Sequence, residues 1–569
     1  MQSLVPRVRI WTCMMGVVLV FMVVRLFFLQ LYPHEIEIFS HSLTGNGLSR
    51  KYFVRLESDR GKILDRRGRT LSGERWPHVL VFPQSSAHLE HYAKQLDQLA
   101  AWTGISPTDL RRRLSTLSRP ALLKTHDGVT TWKVPPLLRS KITQLGIPGV
   151  RVLWFEDRPS TPNQTLLGHI QRWNKGGENH AGGESGLERS FDSLLRGRYE
   201  RWLEYTSDVR GRPLNGTTRV REKVSYGPGY HVLTTLDGSI QRMAEQTLLT
   251  LQVEDGALVV QDIETGDLLA VASRAPYEKP GHRSLMATPL GSLYHTILTL
   301  SALQGGWLVP DTLVECSTEV PQKKGGLWDG DRTTFADAYL RSCESTFSNL
   351  AIRMGEEQLV NDSYQLGLGQ TLLSYGITGA GYTVPCQVGE EEAGVVSVKL
   401  GNERESPPLL SNSPGQSILV TPLQAVQLVT ALHHRGVPPR PRLVQAIWDQ
   451  QGGIVTSIPQ KKMASKKLSA RTVQTVQSLM RNAVVRGREA PWLISSPWPL
   501  AGRMGTAIAD QYSRYHQWMI GFGPLSKPRY AVAILVRYTY SAHDPRAVLL
   551  FRSIMNQLSV MGDQFPPSG

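Results

Sequence analysis

Ser292 and His295 stand three residues apart at the head of the apolar run Thr296-Ile297-Leu298-Thr299-Leu300-Ser301-Ala302-Leu303. On a helix that interval sets both side chains on one face. A serine hydroxyl is a weak nucleophile until an adjacent base takes its proton, and a neutral imidazole is a competent base near pH 7. A helix N-terminus disfavours the charged ring and so keeps it in its accepting form. The chemistry open to such a pair is nucleophilic catalysis by the serine hydroxyl with the imidazole as base. A second reading of the same residues needs no chemistry: Ser292 caps a buried helix, as serine routinely does, and His295 is a first-turn residue.

The elements that would position the pair begin near Tyr226-Gly227-Pro228-Gly229, where two glycines and a proline break the chain. Residues 231–236 predict a strand, and Asp237 stands where it would cap a helix carrying Ile240, Met243, Ala244 and Leu248. A hairpin follows over 256–263 and 268–273, turning at Glu264-Thr265-Gly266-Asp267. Strand, helix, hairpin and then a buried helix headed by Ser292 predict an α+β domain over 226–560. The doublet His433-His434 before Gly436 reads as a helix end.

Upstream, residues 43–225 read as a separate, irregular mixed domain. Residues 54–71 alternate, turn at Arg67-Gly68 and resume, a hairpin pattern. Leu96, Leu99, Ala100 and Trp102, then Leu110, Leu114 and Leu117, are spaced for helices. The glycine-rich stretch 176–186 predicts an exposed loop, and 187–195 a short helix opened by a serine cap.

Residues 10–32 are mostly apolar with one charge, Arg25, and at about 1.5 Å per residue they are long enough for a hydrocarbon core of roughly 30 Å. No small-x-small cleavage pattern follows Leu31-Tyr32-Pro33, so the segment predicts an uncleaved single-pass transmembrane helix. Arg7 and Arg9 precede it, which puts residues 1–9 in the cytoplasm and the bulk of the chain outside. The net charge of +15 is spread over isolated arginines, with one short lysine cluster at Lys461, Lys462, Lys466 and Lys467. That pattern argues against nucleic acid and for an anionic membrane or wall polymer. Of four cysteines Cys13 lies in the expected span, and a pair between Cys316 and Cys343 is left open. No cysteine or histidine spacing suggests a metal site, and no cofactor is expected.

Several segments in shared order carry a family resemblance. Arg60-Gly61-Lys62-Ile63-Leu64-Asp65-Arg66, then Gly186-Leu187-Glu188 with Phe191-Asp192, are similar to signatures of the class B penicillin-binding proteins, membrane-anchored D,D-transpeptidases of bacterial cell-wall synthesis. Thr235-Leu236-Asp237 through Gln241, Asp262 through Gly266, Gly415 through Gln424, and His516-Gln517-Trp518 resemble further landmarks of that family. The resemblance implies a dimerisation or pedestal-like domain over 43–225. It also implies a penicillin-binding, serine β-lactamase-like α/β sandwich over 226–560, in the bacterial cytoplasmic membrane. Its implied ligands are a peptidoglycan stem peptide or a β-lactam, and its implied partner is a polytopic glycosyltransferase.

In the family a serine attacks the penultimate D-alanine carbonyl, a lysine three residues on serves as base, and Ser-x-Asn and Lys-Thr/Ser-Gly segments complete the site. This chain contains no literal copy of any of the three motifs. Ser292 keeps the nucleophile's place, with His295 for the lysine. Ser342-Cys343-Glu344 corresponds to Ser-x-Asn, and Arg503-Met504-Gly505-Thr506 to the Lys-Thr-Gly strand. Arg503 retains the charge to pair with a substrate carboxylate, whereas Met504 lacks a hydroxyl and Glu344 would repel that carboxylate. The amides of Ser292 and Thr506 are expected to converge as an oxyanion hole, since backbone donors survive side-chain change. Two functions follow: a catalytically impaired, anchored scaffold, or an active transpeptidase acylated at Ser292 with His295 as base. Losing three cooperating motifs together favours the first. The bland alternative for Ser342, Glu344 and Arg503 is a surface ion pair lining a relict cleft.

Overall fold

Residues 256–262 and 530–536 alternate between two apolar faces, and that alternation builds the centre of the second domain. Strands β1 (Gly256–Asp262), β2 (Leu268–Arg274), β3 (Ala501–Ile508), β4 (Tyr515–Gly523) and β5 (Tyr530–Thr539) form one antiparallel sheet in the order β2-β1-β5-β4-β3. Leu258, Val260, Val532 and Ile534 point to one face, where helices α1 (Gly238–Thr250) and α7 (Arg546–Gln564) cover them. Val259, Ala533 and Leu535 point to the other, toward α2 (His295–Gln304) and α5 (Pro422–His433). Successive strand side chains face opposite sides, so a sheet buried on both faces must be apolar at nearly every position. Trp518 on β4 is fully buried and still donates its Nε1–H to Pro289 O at 2.8 Å.

The computed structural model describes residues 50–564, apart from 59, 83–85, 118–119, 128–130, 148, 158–165, 176–177, 197–198, 208–218, 225–228, 277–280, 318–322, 325–326, 329–330, 380, 398–413 and 511–512. The expected membrane span 10–32 lies outside them, and among the described residues no helix is long and apolar enough to cross a membrane. Asp237 caps α1 as expected, its Oδ1 accepting from Ser239 N and Ile240 N. Such a cap contributes about 1 kcal/mol. The hairpin of β1 and β2 and the end of α5 at His433 also fall where the spacing placed them.

The upstream domain departs from expectation in three places. Residues 54–71 are not one hairpin: Arg50–Ser58 pairs with Tyr199–Ser207, far along the chain, and only Ile63–Leu64 and Thr70–Ser72 fold on each other. Within 176–186, Glu178–Gly183 is a strand paired with Ile170–Lys175. Gly183 is there for closeness, since a Cβ on it would lie 1.9 Å from Glu188 O. The helix expected over 187–195 is two short helices, Gly186–Ser190 and Asp192–Leu195, and Ser185 does not cap the first with its side chain. Its Oγ instead meets His169 Nδ1 at 2.7 Å. The expected helices are present at Ala93–Thr103 and Pro107–Ser115, with Leu96, Leu99, Leu110 and Leu114 buried.

The two domains share a sheet. Its order is Ile454–Ser457, Val444–Trp448, His231–Thr234, Ile63–Leu64, Thr70–Ser72, with Ile63–Leu64 running parallel to Val232 and Leu233. Beside this junction Arg60 meets Glu188 Oε2 through Nε at 2.8 Å and Nη2 at 2.6 Å, and Asp192 Oδ1 through Nη1 at 2.6 Å. The two upstream signatures are thus the halves of one buried ion cluster.

Candidate active site

Ser292 sits in a 3-10 turn, Gly291–Tyr294, that runs into α2. α2 is buried almost all round, with Ile297, Leu298 and Leu300 at 0–1% exposure, so the turn is fixed by the core behind it. In front it touches strand β3 backbone to backbone. A Cβ on Gly505 would lie 2.5 Å from Leu293 Cβ, and one on Gly291, whose φ is +58°, would lie 2.1 Å from Thr506 O. Only glycine permits that approach. It brings the Thr506 N–H to 3.0 Å from Ser292 Oγ. Ser292 is therefore not an N-cap: its oxygen accepts from the neighbouring strand, and no side-chain cap bond forms at this turn. The Thr506 hydroxyl lies 3.0 Å from Gln517 Oε1 and 3.2 Å from Ala542 O.

His295 is fully buried, and its ring is stacked on Phe347 with centroids 4.0 Å apart and planes 8° apart. Its Nδ1 lies 3.3 Å from Ser342 Oγ. Its Nε2 lies 3.4 Å from Glu344 Oε2 yet makes no aligned hydrogen bond. Among the described residues no hydrogen bond joins His295 to Ser292. The imidazole expected to serve the nucleophile is turned toward the Ser342 segment and clamped there.

That segment lies between α3 (Phe335–Arg341) and α4 (Glu344–Met354). Ser342 closes α3 in the left-handed region, at φ 61° and ψ 48°, a conformation that costs a non-glycine residue roughly 1–2 kcal/mol. Cys343 is joined to Cys316 by a disulfide, with Cα atoms 5.2 Å apart, which decides the pairing that spacing left open. Glu344 begins α4, where the helix dipole favours an anion, and its Oε1 is buried without a partner.

Arg503 is 1% exposed. Its Nη1 lies 3.3 Å from Glu489 Oε1, its guanidinium stacks over Tyr339 at 4.5 Å, and among the described residues its Nε and Nη2 have no hydrogen-bond partner. Burial raises the Tyr339 hydroxyl above its ordinary value against the opposing pull of Arg503. Glu489 Oε1 also accepts from Met504 N at 2.9 Å. The expectation of a surface ion pair is thus corrected, because Glu344 and Arg503 are both buried in the interior. Arg503, expected to pair with a substrate carboxylate, is engaged in this structure by Glu489. Sequence reasoning missed Glu489, which no motif marks, fourteen residues before its partner. Among the described residues no group of three His, Cys, Asp or Glu is placed to hold a metal ion.

Ser292 thus stands on a turn before a buried helix, with an edge strand delivering an amide to its oxygen, in an α+β domain. The family model described as "Penicillin binding protein transpeptidase domain" matches residues 256–556, and "Penicillin-binding Protein dimerisation domain" matches 55–228. The chain belongs to the class B penicillin-binding proteins, the transpeptidase family of peptidoglycan synthesis. It is similar to the peptidoglycan D,D-transpeptidase MrdA of Salmonella typhimurium, 23% identical over 576 residues that cover 88% of each chain. It is likewise 23% identical to stage V sporulation protein D of Bacillus subtilis over 514 residues, 84% of this chain and 74% of the relative. Among solved structures, penicillin-binding protein 2X from Streptococcus thermophilus matches with TM-score 0.60 and 18% identity, covering 90% of this chain and 80% of the other. A chain from a study titled "Structural coordination of polymerization and crosslinking by a peptidoglycan synthase complex" matches with TM-score 0.61 and 22% identity over 99% of both. These two likenesses concern the fold.

Proposed function

We propose that this chain is a catalytically impaired pseudo-transpeptidase, a membrane-anchored scaffold of bacterial cell-wall synthesis. The observation that carries the reading is the position of His295: the ring at the base's place is bonded to Ser342, stacked on Phe347 and not bonded to Ser292. A base must reach the proton it removes, and a misplacement of about 1 Å costs roughly 10²-fold. Met504 brings no hydroxyl, and Arg503 is engaged by an internal acid. In this reading residues 1–9 are cytoplasmic and 10–32 span the membrane once. The pedestal over 43–225 and the transpeptidase-like domain over 226–560 then lie outside. The partner is a polytopic glycosyltransferase, a proposal supported by the likeness to a chain whose study concerns a peptidoglycan synthase complex.

The alternative, an active D,D-transpeptidase acylated at Ser292, has one observation in its favour: the Thr506 amide is held against Ser292, where an incoming carbonyl oxygen would compete with Oγ for its N–H. Labelling with a fluorescent β-lactam, followed by peptide mass mapping, separates the two. The expected result is no covalent label on the intact chain. Label on Ser292 that disappears in Ser292→Ala would overturn the impaired reading.

A further inference from the structure

Strand β3 is the free edge of the central sheet, paired on one side only, with β4. In an antiparallel ladder alternate amides point away from the partner strand. Here Met504, Thr506 and Ile508 point outward, and each N–H is already taken by a side chain of the same chain. Glu489 Oε1 accepts from Met504 at 2.9 Å, Ser292 Oγ from Thr506 at 3.0 Å, and Gln416 Oε1 from Ile508 at 3.0 Å. A peptide that docks on a sheet edge needs such donors free.

Glu489 differs from the other two acceptors. It is the one that carries charge, and its Oε1 lies between a strand-edge N–H and a guanidinium, 3.3 Å from Arg503 Nη1. A backbone amide and an arginine together are the donors that receive a carboxylate. The seat also offers more than its occupant uses. Arg503 is 1% exposed, yet its Nε and Nη2 are unpartnered, and so is Glu489 Oε2. A carboxylate placed for this guanidinium would take two parallel N–H bonds, whereas Glu489 takes one from it.

We propose that Glu489 is a built-in stand-in for the terminal carboxylate of an incoming peptide, seated between Arg503 and the Met504 amide and holding the edge of β3 shut. The inference rests on the reading of this cleft as a transpeptidase site and not on whether Ser292 is acylated. Glu489 is carried on the short turn after α6 (Ala470–Arg486), next to Arg488, whose Nη2 lies 2.9 Å from His543 Nδ1. Reopening the edge would require that turn to swing out.

The test is a titration of the full chain, in a Ser292→Ala background, with N-acetyl-D-alanyl-D-alanine and separately with acetate, read as carboxylate-dependent thermal stabilisation and as heat of binding. Glu489→Ala is expected to bind the dipeptide about tenfold more tightly than the Glu489 chain, with a matching rise in melting temperature. Adding Arg503→Met should abolish that gain. Should Glu489→Ala fail to fold, Glu489→Gln keeps an acceptor for Met504 N without the charge, and the same titration applies. Equal affinity with and without the Glu489 carboxylate, or a gain that survives Arg503→Met, overturns the proposal. Covalent β-lactam label on Ser292 of the unmodified chain would overturn the impaired reading, whereas equal dipeptide affinity in an unlabelled chain would overturn the stand-in alone, so the two failures are distinguishable.

Discussion

Arg60 and Arg503 are both buried arginines facing acids, and they are built to different standards. Arg60 uses all three of its nitrogens: Nε and Nη2 on Glu188, Nη1 on Asp192, at 2.6–2.8 Å. Its acids are held in turn, Asp192 by Gly183 N at 2.9 Å and Glu188 Oε1 by Ser72 Oγ at 3.4 Å. Arg503 uses one nitrogen at 3.3–3.5 Å and leaves two without partners. Burying charge costs several kcal/mol per ion, and only good geometry with full hydrogen bonding offsets it. Arg60 meets that condition and binds two sequence-distant signatures into one junction. Arg503 does not, and the two nitrogens it leaves over are those the proposed stand-in does not use.

The largest effect should come from breaking the better-built cluster. Arg60→Met takes the shared guanidinium away from Glu188 and leaves Asp192 with Arg196, and chemical denaturation should show a loss of about 3–5 kcal/mol. Arg503→Met removes a guanidinium that already lacks two partners, and the same measurement should show a loss of only about 1–2 kcal/mol. Equal costs for the two would erase the contrast. Smaller still is the effect of Arg503→Met combined with Glu489→Leu, which removes both charges and should return stability to within about 1 kcal/mol of the parent. The Met504 amide then lacks its acceptor, which sets the residual loss. A double variant less stable than Arg503→Met alone would show that the pair is sound as it stands.

The finest discriminator is pH. Burial pushes the Asp192 carboxyl upward, but the Arg60 charge, the Gly183 N–H and Arg196 outweigh it and hold the group below its ordinary value. Folding therefore favours the ionised form. That stabilisation is present above the ordinary carboxylate range and fades as pH falls through the lowered value, below about pH 4. Asp192→Asn should flatten the acid side of the stability curve in melts between pH 5 and pH 2. An unchanged slope would remove Asp192 from the cluster's energetics.

What the sequence made legible was the part governed by local rules. Asp237 capping α1 and the alternation of β1 and β2 follow from neighbours along the chain. The glycine-rich strand Glu178–Gly183 was hidden because glycine signals a loop by composition, while here it answers the approach of Glu188 O, invisible in one dimension. Ser292 stood out in the sequence, but the reading of it as a helix cap fails, because its oxygen accepts from Thr506, 214 residues away on β3. His295 was singled out by its spacing from Ser292, yet its orientation depends on Phe347 and Ser342, which tertiary packing supplies. Glu489 had no signal, since an acid before Ala490-Pro491-Trp492 resembles any helix-opening residue.

The sheet that the two domains share has a bearing on why a cleft short of its usual groups would persist. His231–Thr234 and Val444–Trp448 belong to the second domain, and they complete a ladder whose remaining rungs, Ile63–Leu64 and Thr70–Ser72, come from the first. A fragment cut between the two would expose an unpaired strand on each side, an invitation to aggregate. The domain that houses Ser292 is thus also the lid on the pedestal's own open edge. Inheritance can erode its chemistry residue by residue, but deleting it would unroof the part that remains.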